Sequence, residues 1–147
     1  MKTSPHGLEF LSDLEGNKLR SYLDGGGVWT IGVGHTSDEV FKVEPDQQIT
    51  YEKSMELLAY DVEEAEDIIN ELVKVPLTQN QYDALVSFVF NIGATQFSDS
   101  TLLRKLNAKD YFGASAQLTR WNRDNGKTIA GLTKRRLLEQ SLFRQQA

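Results

Sequence analysis

Six of the eleven glycines in this 147-residue chain fall between residues 16 and 34, in the stretch GNKLRSYLDGGGVWTIGVG. A glycine inside a helix or strand costs roughly 0.5–1 kcal/mol relative to alanine, so this density argues against a continuous helix here. It favours a backbone that turns sharply or lets another group approach closely. On either side of Asp24-Gly25-Gly26-Gly27 stand KLRSYL and VWTIGV, branched and aromatic residues with a period of two. Such flanks about an Asp-Gly turn predict a β-hairpin. What precedes the hairpin is helical. Ser4 is placed to cap, Pro5 suits the first helical position, Leu8, Leu11 and Leu14 recur at helical spacing, and Gly16 is a natural stop. The first helix is expected over residues 5–15.

After a mixed loop the pattern turns helical again. Met55, Leu58, Val62, Ala65, Ile69 and Leu72 recur by threes and fours, which predicts one long amphipathic helix over residues 51–75, ending before Pro76. Thr78 and Gln81 form a capping box in front of YDALVSFVFNIG, a segment apolar on several faces and therefore a buried central helix. Three further helices are expected from STLLRKLN, from DYFGASAQLTRW with Asp110 as its cap, and from TKRRLLEQSLFRQ. The expected class is α+β, mostly α, in a single domain. It divides into an N-terminal hairpin lobe over residues 1–50, a linking helix over 51–75 and a helical C-terminal lobe over 76–147.

Charge narrows the function classes. The net charge of −5 conceals −10 over residues 1–76 and +5 over residues 77–147. A polyanionic ligand is expected to meet the basic C-terminal part, although the acidic residues equally suit the solvated face of the long helix. Nucleic-acid binding fits poorly, because no basic stripe interleaved with aromatics occurs. With no cysteine there is no disulfide framework. No run reaches the length of a membrane span, so no membrane anchor is expected, and MKTSPHGLEF is not a signal peptide.

Most site chemistries fail on residue type. Two histidines, His6 and His35, without cysteine or paired-ligand spacing, predict no metal site and no metal cofactor. The glycines are followed by no Gly-Lys-Ser/Thr, so they are not a phosphate loop, and no Gly-x-Ser-x-Gly elbow accompanies His35. A carboxylate pair remains. Glu15 ends a helix, at the electronegative pole of its dipole, whereas Asp24 heads a glycine turn rich in exposed N–H groups. Glycosidases separate acid from base by placing two carboxyl groups in unlike surroundings. A Glu and an Asp nine residues apart are commonplace, and spacing alone does not establish such a pair. In VWTIGV, Trp29, Ile31 and Val33 share one face and Thr30 takes the other, which would leave its hydroxyl beside the carboxylates. An ordinary strand threonine would look the same.

The ordered set Glu15, Asp24, Thr30 and IGVGHT resembles the catalytic signature of the phage-type lysozymes, endolysins that degrade bacterial cell walls. ITYEKSMELLAYDV, QYDALVSFVFNIG, FSDSTLLRKLN and GLTKRRLLEQSL resemble further stretches of that family in the same order, so the likeness covers nearly the whole chain. It implies a two-lobed lysozyme fold with a substrate cleft between the lobes. It also implies a muramidase that cuts the β-1,4 bond between N-acetylmuramic acid and N-acetylglucosamine of peptidoglycan without any cofactor. By the same resemblance Glu15 protonates the leaving oxygen, Asp24 stabilises the oxocarbenium ion and helps activate water, and Thr30 positions that water. The implied outcome is inversion, which needs carboxyl groups ~6.5–9.5 Å apart.

The resemblance further implies a His35–Asp61 pair between the hairpin lobe and the long helix, and sugar contacts from Phe90 and Ser100. Phe90 could equally be core, as Trp121 is expected to be. Arg135 and Arg136 could meet anionic wall material, with a structural role as the default. Val33 departs from the family's tyrosine, and Gly25-Gly26-Gly27 is expected to be a looser turn than usual. A monomer is expected, made in the host bacterial cytoplasm and reaching the wall in the periplasm through a holin or other release system. A wall-binding module without activity, or a bacterial enzyme of wall remodelling, are the rival readings.

Overall fold

The computed structural model describes residues 1–146. Contacts divide the chain into two compact units, one of Leu8–Glu63 and one of Met1–Gly7 with the residues from Glu64 onward. The fold is α+β and mostly α, as expected. α1 (Pro5–Glu15) opens with the Gly7 N–H donating to Ser4 Oγ at 3.0 Å. It closes with the Gly16 N–H on the Ser12 carbonyl at 2.8 Å. Both ends lie where the cap and stop residues predict.

In the first unit β1 (Lys18–Leu23), β2 (Trp29–Gly32) and β3 (His35–Thr36) form an antiparallel sheet in that order. The third strand was not expected, being too short to show a period. Tyr22 stands opposite Thr30 and Lys18 opposite Gly32, so β1 carries a bulge between Lys18 and Tyr22. The outer edge of β1 is covered by the loop before α2 (Tyr51–Asp61). There the Ser21 N–H donates to the Gln47 carbonyl at 2.8 Å and the Ile49 N–H to the Leu19 carbonyl at 2.9 Å. Ile31, Val43 and Leu57 make the core, with Trp29, Phe41 and Ile49 packed against it, so the apolar face of β2 turns inward as its alternation predicts. Gly32 has a φ of +64°, and a Cβ there would lie 2.9 Å from Ser54 Oγ on α2. Only glycine lets the strand approach the helix this closely.

The long helix expected over residues 51–75 is two helices, α2 and α3 (Glu63–Leu72), interrupted at Val62. The Val62 N–H still reaches the Leu58 carbonyl at 3.0 Å, but its ψ of −7° departs from the helical value of ~−42° and turns the next carbonyl off the axis. Val62 itself is buried, so the apolar spacing runs straight through the break and does not reveal it.

The second unit is built on α4 (Gln79–Ile92), buried continuously from Tyr82 to Val89 and packed chiefly against α8 (Ala130–Arg144). The Thr78–Gln81 capping box is present. α5 (Ala94–Ser98), α6 (Thr101–Asn107) and α7 (Tyr111–Gln117) lie between them, with Asp110 capping α7 by accepting the Gly113 N–H at 2.9 Å. α5 was not expected. Nor was the small hairpin of β4 (Arg123–Asp124) and β5 (Lys127–Thr128), although its Asn125-Gly126 turn, with φ of 50° and 78°, is the strongest short hairpin signal a sequence can carry. Met1–Gly7 is held in this unit by acidic side chains. Thr3 donates its N–H and its hydroxyl to Glu66 Oε2, each at 2.7 Å, and Ser4 donates both of its groups to Asp83.

Tyr82 is buried and donates its hydroxyl to the Met1 carbonyl at 3.0 Å. Burial, reinforced by the negative charge of Glu66, pushes this phenol well above its usual value of 10.0. Its contribution to stability is therefore complete below that usual value and is lost as pH rises through the raised one. In a spectrophotometric alkaline titration one of the five tyrosines should ionise after the rest and together with unfolding, and Tyr82→Phe should remove that late step.

Candidate active site

Glu15, Asp24 and Thr30 all belong to the Leu8–Glu63 unit. Glu15 is the last residue of α1 and is exposed. Asp24 follows β1 and organises the three-glycine loop. Its Oδ1 accepts the N–H groups of Gly26 and Val28, both at 2.8 Å. The backbone adds the Gly27 N–H on the Asp24 carbonyl at 3.0 Å and the Asp24 N–H on the Val28 carbonyl at 2.9 Å. Gly27, with φ +77°, supplies the left-handed step that closes a three-residue hairpin loop. Four hydrogen bonds thus hold a turn that its composition suggested would be loose.

Thr30 is buried, whereas the strand alternation suggested an open polar face. It stands between Tyr22 of β1 and Thr36 of β3, so its strand is flanked on both edges, which alternation along one strand does not reveal. Its Oγ1 donates to the Val28 carbonyl at 3.0 Å. The residue that receives this bond also gives its N–H to Asp24. One residue, Val28, therefore joins Asp24 and Thr30, a link that neither spacing nor propensity shows. With the proton of Oγ1 committed, the remaining lone pairs of Thr30 can only accept. Val33, in place of the family's tyrosine, is buried.

Phe90 and Ser100 belong to the other unit. Phe90, near the end of α4, is half-buried. Ser100 is buried and caps α6, its Oγ accepting the Leu103 N–H at 3.0 Å and donating to the Phe97 carbonyl at 2.7 Å. The resemblance implied only a sugar contact for Ser100, although a serine in front of TLLRKLN is a cap signal. Trp121, expected in the core, is half-buried, its ring meeting that of Phe88 edge to face at 5.7 Å. Arg135 and Arg136 are buried rather than available to the wall. Both pair with Glu139, which has no exposure and also accepts the Ser87 hydroxyl at 2.6 Å.

These elements match a known group. Residues 12–139 match the phage lysozyme family. The endolysin of Salmonella phage P22 is 46% identical over 97% of this chain and 98% of that protein. This chain belongs to the phage lysozyme family. A crystal structure of a P22 lysozyme mutant has the same fold, with a TM-score of 0.91 at 44% identity over 97% of this chain and 98% of the other. The muramidase domain of SpmX from Asticaccaulis excentricus has a TM-score of 0.86 at 37% identity, over 99% of each chain. Among the described residues no helix is long and apolar enough to cross a membrane.

The expected His35–Asp61 pair is present, with His35 Nδ1 2.7 Å from Asp61 Oδ2. Asp38, not foreseen, stands 3.3 Å from the other ring nitrogen. Burial holds the Asp61 carboxyl above the usual range, against the opposing pull of His35. The Phe41 N–H, on a hydrogen bond of 2.8 Å, holds Asp38 below it. Asp38 therefore lends stability above its unfolded value, lost as pH falls through the lower folded one, and Asp61 runs in the opposite sense. Asp61→Ala strands a buried Nδ1 and should cost ~1–3 kcal/mol in urea denaturation.

Proposed function

We propose that this chain is a muramidase that hydrolyses the β-1,4 bond between N-acetylmuramic acid and N-acetylglucosamine in bacterial peptidoglycan. The observation that carries the reading is the residue Val28. It braces Asp24 and Thr30 from its N–H and its C=O, in the unit that also bears Glu15. Family membership and endolysin relatives support the substrate class.

Glu15 protonates the glycosidic oxygen as its bond to C1 breaks, and leaves as a carboxylate. The positive charge that develops on C1 and the ring oxygen is met by Asp24. Because both backbone bonds fall on Asp24 Oδ1, its Oδ2 is left to face that charge and to take a proton from the attacking water. Thr30, its own proton spent on Val28, accepts the other hydrogen of that water and aims its lone pair at C1. Proton exchange with solvent then restores both carboxyl groups. Attack opposite the leaving group gives the α-anomer, the inverting outcome. Phe90 supplies an apolar face to a sugar ring, and Ser100 contributes by holding the start of α6.

With purified peptidoglycan the wild type should release muramic acid reducing ends, first as the α-anomer by NMR. Glu15→Gln should lose roughly 10²–10⁴-fold in rate. Asp24→Asn, which keeps the oxygen that accepts the turn bonds, should fold normally and lose a comparable factor. Thr30→Val should lose less. Binding without release of reducing ends in the wild type would replace this reading by that of a wall-binding module.

The same proposal includes synthesis in a bacterial cytoplasm and release by a holin or equivalent. Expression in a bacterial host should lyse the culture promptly only when a membrane-permeabilising protein is co-expressed. Lysis without one would show an independent route to the wall.

A further inference from the structure

The sequence holds no conventional metal motif, yet the fold brings His35, Asp38 and Asp61 together, with one potential ligand atom from each within 4.8 Å of the others. Their arrangement is not symmetrical. Nδ1 of His35 meets Asp61 Oδ2 at 2.7 Å, a hydrogen bond that fixes the ring and leaves Nε2 as the free nitrogen. His35 is only 3% exposed, and among the described residues Nε2 has no hydrogen-bond partner. A buried ring nitrogen left in this state calls for an explanation, and an ion is one.

What Nε2 faces is Asp38 Oδ1, at 3.3 Å. That is too poorly directed for a hydrogen bond, but it is the spacing of two neighbouring ligands on one ion. Two atoms bound at ~2.0–2.1 Å to a tetrahedral Zn²⁺ stand ~3.3–3.4 Å apart. The Asp38 carboxylate is held in place by the N–H groups of Val40 and Phe41, at 3.0 and 2.8 Å. It lies at the surface, so waters can complete the coordination shell. A carboxylate on Nδ1 with a metal on Nε2 is the usual outer-shell arrangement of a ligating histidine, since the hydrogen bond sets the tautomer and makes the ring more basic.

We propose that His35 Nε2 and the Asp38 carboxylate bind a divalent first-row transition ion, Zn²⁺ before others, with Asp61 as the carboxylate that orients the imidazole. An imidazole nitrogen selects against Ca²⁺ and Mg²⁺, which take oxygen. The ion would tie the loop after β3 to the ring that Asp61 already holds on α2. The expectation of no metal site rested on sequence spacing. His35 and Asp38 are three residues apart, on β3 and the loop after it, but the carboxylate that orients the ring is on α2, 26 residues further on, which spacing does not reveal.

The test uses the full chain carrying His6→Gln, which removes the other histidine, above the ordinary imidazole pKa of ~6.5. Calorimetric titration with ZnCl₂ should show one ion per chain. Co²⁺ should develop the intense visible bands of a tetrahedral nitrogen–oxygen site. Asp38→Asn keeps an oxygen for the Val40 and Phe41 amides, so the loop stays folded, and it should weaken binding at least tenfold. Asp61→Asn, acting through the ring, should weaken it by ~10–100-fold. Circular dichroism should show both variants folded. No heat and no Co²⁺ bands, or equal binding by folded Asp38→Asn, would overturn the proposal and leave Nε2 as the outer face of the Asp61 pair.

Discussion

The ring of His35 has almost no accessible surface, yet each of its nitrogens faces a carboxylate, and the hairpin unit is arranged around that constraint. β3 is only two residues long and could not hold its place by ladder bonds alone. The Asp61 bond fixes it to α2, and the loop that follows folds back so that Asp38 reaches the opposite side of the ring. With β3 pinned, β2 has a neighbour on each side, and Gly32 lets the sheet lie close to Ser54. The loop that carries Asp24 extends from the far end of the same strand pair. A rigid sheet thus supports a turn whose geometry is set by its own hydrogen bonds.

The other unit meets a different constraint. Glu139 is fully buried between Arg135 and Arg136, with Ser87 as a further donor, while Arg136 also reaches Asn91 and the Trp121 carbonyl and lies over the Phe88 ring. Buried ion groups of this kind contribute little net stability, because desolvation offsets attraction, but removing one member leaves a buried charge without its partner. Their effect here is to register α8 against α4. Two apolar helix faces could otherwise slide past each other with little change in buried area.

Much of the architecture was legible because its signals are local. Ser4, Thr78 and Asp110 are caps whose side chains meet N–H groups three residues on, and the structure has all three bonds. The hairpin followed from period-two flanks and glycines that only a turn accommodates. What stayed hidden was non-local or masked. The break at Val62 leaves apolar spacing untouched, because a change in ψ does not alter which residues are apolar. Thr30 looked like a residue of an open face because alternation says which side a side chain takes, but not what covers that side. The buried state of Arg135 and Arg136 depended on Glu139 being drawn inside with them, and a run of charges gives no sign of that.

The sequence by itself determined most of the helices, the caps at Ser4, Thr78 and Asp110, the first hairpin and the family, since these rest on propensities and patterns within a few residues, and on motifs in order. It also carried Glu15, Asp24 and Thr30 as candidates. Tertiary structure decided which backbone groups Asp24 and Thr30 meet. Val28 joins Asp24 to Thr30 only when β1 and β2 pair in this register. His35 meets Asp61, 26 residues away, only when the sheet packs on α2. Such contacts depend on where whole elements come to rest, which is settled by the packing of the core and not by the local preference of any one residue.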